Sequence, residues 1–167
     1  MINLRPTLYA GVYAVGTGER GIHVRNRIKV GKHTYDPIYG MMLESDTHSP
    51  SMIEFCNKLL RNVGYNRDAP IVHHVNTIPN SKDTLGLALL MSNQVILYRR
   101  TLGVLVHELA HFAAFAILGD RGHRQGFQVM YNLLHVNTYR MLKLDDSIYD
   151  TMLDKMQEYN LLGIVLT

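Results

Sequence analysis

The sequence predicts a single α+β domain in which a small antiparallel sheet leads into a buried helix carrying a metal-binding motif. Three observations predict it. The chain has 167 residues, 47% of them hydrophobic, which is enough for one substantial core. Three short apolar runs, 69–79, 84–91 and 94–98, stand between two helical patterns, and Ser92 and Asn93 supply turn chemistry between the last two. Finally, every residue from Leu102 to Leu118 is apolar or glycine except His107, Glu108 and His111, and a helix that is apolar all round is a buried one.

Taken in order, the segment 1–45 reads as a basic β-hairpin extension. Residues 8–15 and 21–30 have strand character and are joined by the glycine-rich turn GTGERG. In the second strand Ile22, Val24, Ile28 and Val30 alternate with His23, Arg25, Arg27 and Lys29, so one face is apolar and the other basic. Residues 1–35 hold six Lys and Arg against Glu19 alone, while the whole chain is only +3, so the remainder is net acidic. Arg25, Arg27 and Lys29, with Tyr9 and Tyr13 on the neighbouring strand, suit a nucleic acid such as DNA, with cations for phosphates and tyrosines for stacking, or another acidic partner. An ordinary solvated sheet face has the same pattern.

The stretch 31–50 reads as loop. Ser49 then offers an N-cap, with Pro50 at the first helical position and Gly64 closing a helix whose apolar stripe is Ile53, Cys56, Leu59, Leu60 and Val63. Residues 49–142 form the expected catalytic core, with the last strand, 94–98, expected to lie as an edge along the cleft. On a strand, His73 and His74 face opposite ways, one toward the core and one toward the surface. A second helical pattern carries Phe127, Met130, Tyr131 and Leu134, and a last one over 145–163 carries Ile148, Met152, Met156 and Tyr159.

Burying two imidazoles and a carboxylate costs several kcal/mol unless they are bonded to something. The spacing H-E-x-x-H says what that is. Residues four apart on a helix lie about 40° from each other, so His107 and His111 can share one metal ion. Glu108 stands roughly 100° round, beside the ion, where it can take a proton from a water acidified by zinc.

A catalytic zinc requires a third protein ligand and an open position. Ala114 and Ile117 exclude the longer motif that would place a third histidine at position 117, and no glutamate occurs between Glu108 and Glu158. Asp120, His123, His135 and the later aspartates remain. His123 is the best placed, since Gly119 and Gly122 end the motif helix and the chain returns through GDRGHRQGF; His135 falls late in the returning helix and suits a structural role. Tyr98, Tyr131 and Arg124 are candidates to stabilise a developing oxyanion, and the sequence does not choose among them.

HELAH followed by GHRQGF resembles the SprT-like, Spartan-type metalloprotease family over about Leu85 to Leu134. The resemblance implies a zincin-like fold, one Zn²⁺ held by His107, His111 and His123, Glu108 as the base, and cleavage of polypeptide near DNA. Arg124 stands where the family usually has glycine, and no cysteine pair exists for the zinc ribbon of many members. Small ribbonless metallohydrolases of actinobacteria and their phages are similar in this respect.

The sequence-based expectation is therefore a zinc-dependent peptide hydrolase. The rivals are a zinc-stabilised module that binds nucleic acid or protein, and an amidase acting on a small or cell-wall peptide. The single cysteine, Cys56, excludes an internal disulfide; with a poor secretory signal and no membrane-spanning run, the chain reads as cytoplasmic.

Overall fold

The structure, a computed structural model, describes residues 2–5, 28–30, 33–35, 40–76 and 84–142. Within these it is α+β, with three helices and a small three-stranded sheet. The strands of that sheet are β5 (Ile71–His74), β6 (Gly86–Leu89) and β7 (Gln94–Leu97), in the order β5-β7-β6. The expected antiparallel sheet is in fact mixed: β6 and β7 are antiparallel, whereas β5 and β7 are parallel. The long connection from His74 to Gly86 lets the chain pass over one strand position, and β7 fills the gap. Its inward residues, Val95 and Leu97, are fully buried, as suits the central strand. The last strand is therefore not the edge that the sequence suggested. Among the described residues that place falls to β6. The β6–β7 turn uses Asn93 at φ 54°, a left-handed conformation that asparagine tolerates.

Helix α1 (Pro50–Asn62) begins as the sequence predicts. The Ser49 hydroxyl accepts the Met52 N–H at 3.3 Å and Pro50 occupies the first turn. Gly64 follows at φ 94°, closing the end. Its buried face is Met52, Phe55, Cys56, Leu59 and Leu60, rotated from the expected stripe, and Ile53 is 52% exposed. Both stripes satisfy helical periodicity, and the larger Phe55 side chain goes inward.

Helix α2 (Leu102–Leu118) is the centre of the molecule. Thr101 caps it by accepting the Val104 N–H, and Gly119 at φ 67° ends it. It packs against β6 and β7 on one side and against helix α3 (Gln125–Met141) on the other, with α1 touching both helices. Phe127, Met130, Tyr131 and Leu134 form the buried stripe of α3 as expected.

The stretch read as loop contains two short strands. β1 (Leu4–Arg5) pairs antiparallel with β4 (Met42–Leu43), and β2 (Ile28–Val30) pairs with β3 (His33–Tyr35). Leu43 N–H donates to Arg100 O and Leu102 N–H to Met41 O, so β4 is fastened to the chain just ahead of α2, and Ile2 and Leu43 join the core. The strand at 8–15, most of 21–30 with Arg25 and Arg27, and the helix at 145–163 lie outside the described residues; of Lys29 only the backbone, in β2, is described.

No helix of the described residues is long and apolar enough to cross a membrane. Replacing Ser49 by alanine should lower stability by about 1 kcal/mol, and by glycine only a few tenths, read as a shift in the urea midpoint at constant slope.

Candidate metal centre

His107 and His111 lie one helical turn apart on α2, with ring centroids 5.0 Å apart. His123 reaches them from the turn between α2 and α3, its ring 5.1 Å from His107 and 4.7 Å from His111. One nitrogen from each of the three lies within 4.8 Å of the others. His107 Nε2 and His123 Nε2 are 3.1 Å apart. Two nitrogens on a tetrahedral zinc, with bonds of about 2.05 Å, are separated by about 3.3 Å, so the donor set fits a first-row transition metal.

The site has an aromatic floor. Phe127, fully buried, has its ring centroid 4.5 Å from His111, 4.8 Å from His123 and 4.9 Å from His107. Below it Tyr131 stacks at 5.8 Å. The side chain that fixes this geometry is Asp120. Its Oδ1 accepts the Gly122 N–H at 2.8 Å and its Oδ2 accepts the Phe127 N–H at 3.0 Å, so the carboxylate clamps the turn on either side of His123. The two amide bonds, that of Phe127 foremost, hold the Asp120 carboxyl below its usual range. Asp120 also does the work of an N-cap for α3, where Arg124 makes no side-chain cap bond. A Cβ at Gly126 would lie 2.9 Å from Asp120 Cβ, so glycine there permits the close approach.

Glu108 is buried on the face of α2 turned toward β6. A Cβ added to Gly86 would come within 2.9 Å of Glu108 Oε1 and 2.8 Å of Val104 Cγ1. The carboxylate thus lies directly against the edge strand. Sequence reasoning missed Gly86, although a lone glycine inside a strand pattern is the signal of a close approach. It also missed the clamp, since a carboxylate bonded to backbone amides leaves no spacing rule to read.

No family model, curated protein or solved structure matches this chain.

The remaining candidates are distributed as follows. Neither Asp120 nor His135 joins the histidine group among the described residues. His135 is fully buried on α3, stacked on Tyr139 at 5.3 Å, as its structural reading required. Tyr131 is fully buried with its ring 6.2 Å from His107, Arg124 is exposed beside His123, and Tyr98 is half-buried just past β7. The expected division of His73 and His74 between core and surface does not occur. His73 is half-buried and His74 exposed, because the strand lies at the edge of the described sheet.

Burial, reinforced by the neighbouring His107 and His123, pushes the His111 imidazole down from 6.5 to about 3. Its folded value lies below the unfolded one, so between these limits the unfolded chain binds a proton that the folded chain refuses. Stability of the metal-free protein should therefore fall as pH drops through that window, and His111→Gln should flatten the dependence of the urea midpoint between about pH 6.5 and 4.5. The Asp120 contribution, from a lowered carboxyl, is lost only further down. Gly86→Ala should cost about 1–3 kcal/mol by overpacking while leaving the histidine site able to take up one metal ion, checked by denaturation and by metal content.

Proposed function

We propose that this chain is a zinc-dependent metallopeptidase of the zincin type, similar to the SprT-like family, that hydrolyses peptide bonds. One observation carries the reading: three imidazoles converge to within 4.8 Å, and a buried carboxylate, Glu108, follows the first of them on the same helix. When bound, zinc supplies a charge that acidifies a water and polarises the scissile carbonyl.

The chain's own residues do the rest. His107, His111 and His123 would hold the ion, and the depressed value of His111 keeps that ring unprotonated at neutral pH. Glu108 accepts the proton of the attacking water and returns it to the departing amine nitrogen. Asp120 keeps His123 in place by bonding the turn at Gly122 and Phe127. Three rather than four protein ligands among the described residues favour an open, catalytic position over a closed structural one.

A polypeptide substrate is favoured by β6. In the described sheet this strand has one neighbour, β7, and its Gly86 lies against Glu108. An extended peptide added to the other edge would pass close to that carboxylate. Association with DNA rests on the basic segment containing Arg25, Arg27 and Lys29, and on the family resemblance.

Glu108→Gln should lower turnover of an unfolded polypeptide such as casein by about 10²-fold or more while metal content stays that of the unsubstituted chain. Full activity in that variant would overturn the mechanism. His123→Ala should lose both the metal of the three-histidine site and turnover.

A further inference from the structure

Outside the triad, a second pair of histidines stands at metal-ligand spacing. His73 is the third residue of β5, and in the sheet register it aligns with Ile96 of β7. His48 comes from the turn that precedes α1. That turn is fixed: Asp46 Oδ1 accepts the His48 N–H at 2.7 Å, Asp46 O accepts the Ser49 N–H at 2.9 Å, and Ser49 caps the helix. The two rings meet edge to face at 4.9 Å, with His48 Nε2 and His73 Nδ1 3.0 Å apart. The triad's own closest pair, His107 Nε2 and His123 Nε2, is 3.1 Å apart. We propose that His48 and His73 form a second metal site, one that takes a nitrogen-preferring divalent transition ion such as Zn²⁺, Ni²⁺ or Cu²⁺.

The surroundings decide what kind of site this is. Both rings line a cavity of about 340 Å³ that is otherwise largely apolar, bordered by Met52, Ile53, Cys56 and Ile71. Of the two sulfur side chains on this cavity, the Met52 thioether is a poor partner for a nitrogen-preferring ion, and burial pushes the Cys56 thiol up to about 12. It therefore stays protonated at neutral pH and does not ligate, because only the thiolate binds metal. Asp46 is committed to the turn through Oδ1. Among the described residues the protein thus offers two nitrogens. His48 is exposed and His73 half-buried, so water can fill the remaining positions and the ion keeps part of its hydration. Such a site binds more weakly than the triad, and the ion fastens β5 to the turn ahead of α1 across the mouth of the cavity.

The protons balance without an outside base. In the metal-free pair one facing nitrogen carries hydrogen and the other its lone pair. The ion needs both lone pairs, so that hydrogen moves to the other nitrogen of its own ring. One tautomer changes, and the neutral pair releases no net proton.

The test is a Ni²⁺ or Zn²⁺ titration of the full chain by calorimetry, with bound metal counted by elemental analysis after dialysis. Two ions per chain are expected, one tight and one weak. His48→Gln, at an exposed position that does not carry the core, should abolish the weak ion or weaken it at least tenfold and leave the tight one. His73→Gln should do the same. His123→Ala should lose the tight ion and keep the weak one, and the exposed neighbour control His74→Gln should keep both. One ion per wild-type chain, or a weak ion that survives His48→Gln, would overturn the proposal.

Discussion

The structure depends on burying α2. Of its residues from Leu102 to Ala114, all but His107 and His111 are buried, so almost every direction around the helix must be covered by another element. Covering it with apolar groups alone would leave Glu108 and the two histidines stranded at several kcal/mol each. The fold meets both demands by dividing them. The sheet takes the side of Glu108, and α3 with its leading turn takes the side of His107 and His111.

That division explains where the small residues lie. Gly86 faces Glu108 because a side chain on β6 would strike the carboxylate and Val104 together. Gly126 faces Asp120 for the same reason at the other side. In each case a carboxylate approaches a backbone more closely than a Cβ allows. The third imidazole is then set by covalent reach: α2 ends at a left-handed Gly119, Asp120 grips the amides of Gly122 and Phe127, and His123 lies between those two anchors. The convergence of the three rings is held by the bonds of the Asp120 carboxylate to the turn amides and by the buried face of Phe127, against the effect of burial and of the other two rings on His111.

The features legible in the sequence are the ones governed by local rules. Ser49 with Pro50 and the left-handed glycines at 64 and 119 each act within a few residues of their own position, and the motif and the stripe of α3 follow from the 3.6-residue period alone. His123 was legible by reach from the end of the helix. What was not legible depends on pairing between distant segments. Strand order is one such case, because an apolar run such as 94–98 suits an edge or a centre equally. The rotation of α1 is another. Met52, Ile53, Phe55, Cys56, Leu59, Leu60 and Val63 offer two overlapping stripes, and only the volume of the facing core selects between them. The β4 strand escaped because its partners, Leu4 and Arg5 on one side and the chain at Thr101 on the other, are far away in sequence.

The place of β6 links the fold to the chemistry. A central strand beside α2 would have its hydrogen-bonding groups paired on both sides and leave none for an added chain. With β7 in the centre, the strand that touches Glu108 is the one whose far edge has no partner in the described sheet. A glycine weakens a strand by roughly 0.5–1 kcal/mol relative to alanine, and at an edge that loss is easiest to bear. The mixed topology, unexpected from the order of the strands, is what brings a strand edge and the buried Glu108 carboxylate to the same point.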